Sequence, residues 1–469
     1  MSKLVSVLAS AAVFLAGCTL IPEYTRPEPP VPSQWPAGTA YREPPATPEA
    51  PLAADLEWRE YFPDKRLQAL IETGLRNNRN LRSAALNVER ARALYRVQQT
   101  ELLPAVDATG QMIRERVPGT LNVDDRSHTL KRYRAEVGVA SWDIDFFGRI
   151  RSLTQAALEQ YFATEQARRS AQILLIAEIA NAYLTLAADR DSLALSKSTF
   201  ETQQAAYDLI RRRFETGVVS ELDLRQSQTR VDSARVDVVR FTEQLARDEN
   251  ALNLLVGSPV APELLPEGLP AVSPPPALSP GVPSYVLLHR PDVMQAESVL
   301  KAANANIGAA RAAFFPDITL TGAVGTASGD LSNLFKHGSL AWNFAPQITM
   351  PIFDARTWAA LKVSEVEKEL AVSQYEGAIQ AAFRDVANAL ARYGTIDGQV
   401  QAQQSLVDAT AATYRMSTAR YDQGIDIYLN VLDAQRSLYA AQLNLIATHL
   451  IKLSNQVDLY AALGGGGGS

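Results

Sequence analysis

Side chains equipped for covalent or acid–base chemistry are few in this 469-residue chain. The four histidines, His128, His289, His337 and His449, lie far apart. No Gly-rich phosphate loop is present, and no carboxylate cluster falls outside a helix face. Runs such as Arg211-Arg212-Arg213 and Asp124-Asp125 read as solvated surface. An enzyme is therefore not expected, and neither a cofactor nor a metal is implied. The single cysteine, Cys18, excludes an intrachain disulfide and a thiolate metal cluster.

What remains for that thiol is acylation. Lys3 opens the chain, Leu4 to Ala16 is uncharged and mostly apolar, and Leu15-Ala16-Gly17-Cys18 comes next. Residues 1–17 read as a signal peptide with a basic start, a short apolar run and small residues before the cut. Leu-Ala-Gly-Cys resembles the bacterial lipobox, in which the Cys is diacylglycerylated and becomes the new N-terminus, carrying palmitate-type chains. A plain secretory signal with a chance Cys is the alternative. The apolar run is shorter than the ~20 residues a spanning helix needs. Thr19, where retention in the inner membrane often uses Asp, favours the outer membrane.

Composition narrows the class further. Hydrophobic residues make up 47% and charged ones 20%, as in folded proteins. A net charge of −6, with no Lys/Arg run longer than Arg211-Arg212-Arg213, argues against nucleic acid as a partner. Ten of the 26 prolines lie between Pro22 and Pro51, and nine between Pro259 and Pro283. These mark an N-terminal tether (18–66) and a linker (257–284) around two blocks, 67–256 and 285–463. Residues 464–469 are a Gly-rich tail, truncated or added.

The two blocks repeat each other. Arg213-Phe214-Glu215-Thr216-Gly217-Val218 and Arg420-Tyr421-Asp422-Gln423-Gly424-Ile425 stand 207 positions apart. Leu75, Pro104 and Gly110 match Leu287, Pro316 and Gly322 at 212, and Glu178–Leu184 matches Asp385–Ala391 at 207. Such self-similarity means duplication. Each Gly interrupts an amphipathic run and reads as a left-handed C-cap, with Ser or Asp shortly after it to start a new helix. Each is the tip of a helix-turn-helix.

Each repeat reads helix, strand, strand, long helix, tip, helix. The first helix is expected over Leu67–Leu103, with strands near Val106–Arg114 and Tyr133–Phe146. In the second repeat Ile318, Leu320, Gly322 and Val324 alternate with Thr319, Thr321 and Ala323, and a further strand is expected over Ala341–Phe353. The long helices, Ile150–Glu215 and Ala355–Asp422, would each run roughly 100 Å at 1.5 Å per residue. Leu224, Val231, Val238, Leu245 and Leu252 recur every seven residues. Ile425, Leu429, Leu432, Arg436, Tyr439, Leu443, Ile446, Leu450, Leu453, Val457 and Tyr460 step by four and three, with only Arg436 polar, as in helices wound on neighbours. The run Ile173–Ala188 is too short and too polar to span a membrane.

Four strands of ~10 residues can cross a bilayer when tilted but cannot close a barrel. Open edges are forbidden in lipid, so several copies would be needed: two give eight strands and three give twelve. Trp142, Phe146, Phe147, Phe314, Phe315, Trp342, Phe344 and Phe353 are expected at strand ends, as interfacial aromatics are. The alternative is a small soluble sheet with core aromatics.

Taken together, Leu15–Cys18, Ile21-Pro22-Glu23-Tyr24, Trp142–Arg149, both tips, Leu432–Arg436 and the C-terminal Leu459–Gly466 resemble the outer-membrane factors of the TolC-like family, on the branch of OprM-like lipoprotein efflux ducts. The resemblance covers residues 1–466. It implies an α+β membrane protein assembled as a homotrimer, with a twelve-stranded transmembrane β-barrel continued by a long α-helical barrel. Its partners would be outer-membrane lipid, a periplasmic adaptor and an inner-membrane transporter of the resistance-nodulation-division type, and its task the export of drugs or other small molecules. A type I protein-secretion duct or a metal-efflux duct shares the architecture, and a poreless periplasmic coiled-coil scaffold is the alternative of another class.

The resemblance also assigns residues. Leu429 and Asp433, one turn apart, match the rings that narrow the periplasmic aperture, while Arg420 and Tyr421 match contacts that hold it closed. Gly217 and Val218, with Gly424 and Ile425, would meet the adaptor. From the residues alone, Leu429 is equally a member of the apolar stripe, Asp433 pairs with Arg436 at i, i+3, and each Gly serves only its turn.

Overall fold

The computed structural model describes residues 19–41, 56–121, 127–276, 278 and 283–465. The signal peptide, Cys18, Asp124-Asp125 and the end of the Gly-rich tail lie outside the described residues. The elements run α1 (Trp58–Tyr61), α2 (Lys65–Asn77), α3 (Arg79–Thr100), β1 (Asp107–Val117), β2 (His128–Asp143), α4 (Arg149–Glu215), α5 (Glu221–Val256), α6 (Pro283–Leu288), α7 (Pro291–Ala312), β3 (Asp317–Ser328), β4 (Leu340–Thr349), α8 (Ala355–Asp422) and α9 (Tyr428–Ala462).

The expected single helix over Leu67–Leu103 is two helices. Asn78 takes an extended backbone between α2 and α3 (φ −61°, ψ 128°). Its Oδ1 accepts from the Leu81 N–H at 3.0 Å, an N-cap for α3, and its Nδ2 donates to the Leu255 carbonyl at 2.8 Å. One amide thus restarts a helix and ties it to the end of α5. The first two strands are longer toward their shared hairpin than hydrophobic patterning indicated, because Arg114, Glu115, Arg116 and Lys131 continue the ladder without adding apolar signal.

The chain divides into two compact units. The first comprises residues up to Pro27, Asn87–Thr164 and Ala296–Tyr375. It holds one sheet in the order β1-β2-β3-β4, each neighbour antiparallel, with a bulge between Val139 and Trp142. The strand-to-helix junction Trp142–Arg149 is built for its corner. Asp145 accepts from the Ile150 and Arg151 N–H groups (3.1 and 2.9 Å), capping α4, and Arg149 pairs with Asp143 at 2.8 Å. Phe147 stacks on Phe315 (4.7 Å) and Phe314 meets Trp358 edge-on (4.8 Å), so these aromatics pack on partners. Trp342 and Phe344 lie within β4 rather than at its end.

Residues 19–27 of the tether form a docked strap in this unit. Ile21 packs on Ala156, Ala302 and Ala305, and the Pro22 carbonyl accepts from Asn304 Nδ2 at 2.8 Å. The buried Glu297 receives Arg26 through both guanidinium nitrogens (2.9 and 3.0 Å), Lys301 at 3.2 Å and the Tyr24 hydroxyl at 3.2 Å. Burial works against the Glu297 carboxylate, but the hydrogen bonds and charges of Arg26 and Lys301 outweigh it and hold its pKa below the usual range.

The second unit comprises Glu28–Leu86, Glu165–Gln295 and the chain from Glu376 onward. The apolar run of α4 forms its centre, with Ile173, Ile176, Ile179, Tyr183 and Leu186 buried. That run is core, as its interruption by Glu178 and Asn181 suggested. Tyr61 stacks flat on Tyr460 at 4.3 Å, pinning α1 to the end of α9. The heptad residues of α5 are all at least partly buried.

Candidate functional site

The two tips come together in the second unit. In each, an N–H pair closes the helix end. Gly217 N donates to Phe214 O and Val218 N to Arg213 O (2.8 and 2.9 Å), while Gly424 N donates to Tyr421 O and Ile425 N to Arg420 O (both 2.9 Å). The glycines sit at φ +74° and +73°, the left-handed region where a side chain is strained. No atom lies within 4 Å of where a Cβ would stand at either. Both tips therefore need Gly for the turn and leave open space beside it.

The twins differ in how the next helix begins. Ser220 and Asp223 form a reciprocal capping box at the start of α5. At the start of α9 the N-cap residue is Ile427, with no side-chain cap, and the neighbouring Asp426 is turned to Arg420 at 2.6 Å. That hydrogen bond holds the Asp426 carboxyl below its ordinary pKa.

Beneath the tips a small core joins both repeats. Ile210 of α4 packs with Tyr428, Val431 and Leu432 of α9, and Val219, Leu224, Tyr414 and Tyr421 surround it. Tyr421 lies 5.0 Å from the Tyr428 ring and under Arg213, whose guanidinium carbon is 5.8 Å from its centroid. Arg420 and Tyr421 thus make contacts within one chain, Arg420 to its own tip and Tyr421 to the twin hairpin. Tyr428 and Asp426 carry no role in the sequence reading, and Arg213, expected on a solvated surface, lies over Tyr421. The stripe departs from expectation only at its start: Leu432 fills the seam together with Tyr428 and Val431, whereas Ile425 and Leu429 are exposed. Asp433 makes its i, i+3 pair with Arg436 at 2.5 Å, and both side chains stay largely in solvent. Leu429 and Asp433 consequently share one open face of α9, whereas Gly217, Val218, Gly424 and Ile425 line the two turns.

A second titratable feature was not foreseen. Asp189 of α4 and Asp248 of α5 face each other as a carboxyl pair, and Asp248 Oδ2 is buried without a donor. Burial, then the Asp248 hydrogen bond and charge, push Asp189 up to about 7. A proton held on Asp189 can be donated to the Asp248 carboxylate.

In the first unit the sheet has two unlike faces. Register puts Ala108, Gly110 and Met112 beside Tyr133, Ala135, Val137 and Val139. Ile318, Leu320, Gly322 and Val324 continue that face, beside Ile348, Pro346, Phe344 and Trp342. The other face carries Thr109, Gln111, Arg134, Glu136, Thr319, Thr321, Asn343 and Gln347. Trp342, Phe344 and Ile348 are 73%, 63% and 69% exposed, so within one chain the apolar face is bare. The outer edges of β1 and β4 pair with no strand among the described residues. An apolar face, a polar face and two free edges describe a wall segment, not a soluble sheet.

Comparison with known proteins agrees with that geometry. The family model described as outer membrane efflux protein matches twice, over residues 70–258 and 282–465, one match per repeat. The chain is 47% identical over 470 aligned residues to the probable efflux pump outer membrane protein TtgC of Pseudomonas putida, covering 99% of this chain and 96% of that one. It superposes on a membrane protein from Pseudomonas aeruginosa with a TM-score of 0.87 at 38% identity, covering 95% of this chain and all of the other. For the MtrE outer membrane channel of Neisseria gonorrhoeae the TM-score is 0.84 at 36% identity, with 96% and 98% covered. The helical chain with one small sheet is that of the TolC-like channels, and the chain belongs to the outer membrane efflux protein family, a transport channel of the Gram-negative outer membrane.

Proposed function

We propose that three copies of this chain close into a twelve-stranded barrel in the outer membrane, continued by an α-helical barrel into the periplasm. The assembly is the exit duct of a tripartite pump for small apolar molecules and drugs. The observation that carries the reading is the sheet: β1 and β4 are its free edges and run in opposite directions, so β4 of one copy can pair with β1 of the next and leave no edge in lipid. Twelve is the count that likeness to TolC-like ducts implies. Relatives named as outer membrane proteins of toluene and antibiotic efflux pumps support the cargo class. The inner-membrane pump, of the resistance-nodulation-division type, selects the cargo, and an adaptor joins it to the duct.

In this reading Cys18 carries the lipid anchor. The tips Gly217-Val218 and Gly424-Ile425 receive the adaptor. Leu429 and Asp433, on the open face of α9, form threefold rings that narrow the aperture, the first by dewetting and the second by favouring cations. Arg420 and Tyr421 hold the closed state, and the uncapped start of α9 makes the second hairpin the easier one to move. The deciding experiment is the mass of the detergent-solubilised protein with detergent subtracted. Three protomers are expected, precipitating when detergent is removed; a stable detergent-free monomer or dimer refutes the duct. In planar bilayers, Leu429→Ala with Asp433→Ala is expected to raise single-channel conductance, and unchanged conductance removes both from the gate.

A further inference from the structure

The apolar face of the sheet has a defined height. Its layers run from Ile318–Ile348 at the helix side to Met112–Tyr133–Ser328 toward the hairpins, and no charged residue stands on that face between them. From Ile318 to Ser328 a strand rises about 34 Å at ~3.4 Å per residue. A tilt of ~40° projects this to about 25 Å, the height of the apolar band in an outer-membrane barrel.

The chemistry changes at the next layer. Arg114 faces Lys131 directly across the β1–β2 pair, and Arg116 faces Thr129 one layer beyond, all on the same outward face. The three basic side chains are exposed. Arg116 donates to Ser127 Oγ at 3.2 Å, and neither Arg114 nor Lys131 has a hydrogen-bond or ion-pair partner among the described residues. Glu115 lies in the same stretch but on the opposite face, opposite Leu130. Like charges set opposite each other across a strand pair repel. Two such cations placed just outside an apolar band gain only if an anion sits between them.

We propose that Arg114, Lys131 and Arg116 form a phosphate shelf that holds the phosphorylated sugar headgroup of an outer-leaflet glycolipid of the lipid A class. The proposal rests on the barrel reading, which fixes this face toward lipid and the hairpins outward. The apolar band receives the acyl chains, the Arg114 guanidinium offers two parallel donors to one phosphate, and the Lys131 ammonium adds a point charge beside it. In a threefold assembly the shelf recurs once per protomer, clasping lipid around the rim.

The test titrates bisphosphorylated lipid A against the full-length, lipidated protein in non-ionic detergent, with bound lipid counted by native mass spectrometry at two salt concentrations. The wild type is expected to bind saturably, more weakly at higher salt. Arg114→Gln with Lys131→Gln is expected to weaken binding more than tenfold, at about fivefold per lost charge. Arg132→Gln, which removes one positive charge from the opposite face, should leave it unmoved where Arg114→Gln alone costs about fivefold, and lipid A stripped of phosphate should bind no better to the wild type than to the double variant. The proposal is overturned if the double variant binds like wild type, if Arg132→Gln weakens binding equally, or if millimolar inorganic phosphate displaces the lipid. It is also overturned if the double variant loses thermal stability but not lipid, the mark of an internal ion pair. Failure of the barrel reading is separate: it appears as loss of the detergent-dependent trimer in the wild type itself.

Discussion

Adding one arginine to either face of the same strand pair separates a membrane wall from a soluble sheet. Val324 lies opposite Val137 and Trp342, in the fourth of the six layers from Ile318 to Ser328 and so near the bilayer midplane. Val324→Arg puts a guanidinium there, at a cost of about 2–4 kcal/mol per copy, or about 6–12 kcal/mol in the proposed trimer. Asn343, paired with Ala323 one position away, points to the polar face. Asn343→Arg adds the same charge at nearly the same height but in water, at a cost below about 1 kcal/mol. The assay is urea unfolding of protein reconstituted in phosphatidylcholine vesicles, alongside single-channel recording. Val324→Arg is expected to lower the midpoint and the yield of assembled protein; Asn343→Arg is expected to keep both and to shift ion selectivity toward anions. Equal destabilisation by the two variants, or a stable Val324→Arg with an impaired Asn343→Arg, refutes the assignment of faces.

The carboxyl pair between α4 and α5 gives a pH signature. A group whose folded pKa lies above its unfolded value takes up a proton on folding, so its contribution is full below about pH 4 and is lost as pH rises toward 7. For Asp189, 3.8 against about 7 sets a ceiling of about 4 kcal/mol at 1.36 kcal/mol per unit, cut to about 1–2 kcal/mol because the pair is half open to solvent. Asp189→Asn supplies the missing donor without the proton, so Tm is expected to rise at pH 8 and not at pH 4; parallel Tm-versus-pH curves for variant and wild type would end that account. At the tip, the Cβ that Gly424→Leu adds meets no neighbour within 4 Å, and the backbone there is strained at a φ of +73°, about 1–2 kcal/mol. Trimers are expected to form normally while cells lose drug export, and a loss of trimers would make the turn, not the docked surface, the reason for Gly.

The parts legible from sequence are those in which one short-range rule acts alone. Both long helices are readable because Pro is excluded from them and the tip glycines stop them. The strand pattern is clear in β3, whose two faces differ sharply in polarity, and faint in β1 and β2, where Arg and Lys prolong the ladder past the apolar band. The break at Asn78 is hidden because an Asn within a helical pattern carries no stop signal; what decides it is a distant carbonyl at Leu255. The strap is hidden for the same reason. Ten prolines say only that the segment is not helical, while its docking depends on Glu297, more than 270 positions away.

Duplication explains why the tips align so easily and why their difference does not show in the alignment. The Arg, aromatic and Gly positions of the two copies coincide, since both must end a long helix in the same left-handed turn. Beyond the turn the copies have diverged. Ser220 and Asp223 satisfy the first N–H groups of α5 in place, so that hairpin is complete by itself. At the other tip the carboxylate that could cap α9, Asp426, is engaged by Arg420 of the preceding helix. The second hairpin is therefore closed by an exposed ion pair, which salt and neighbouring charge weaken, rather than by a cap, which they do not. In the proposed threefold duct, this difference in closure lets one copy of the duplicated element serve the wall and the other the moving part. In the proposed duct the mobile hairpin is then the one on which Leu429 and Asp433 stand, on an open helix face one turn from the uncapped end.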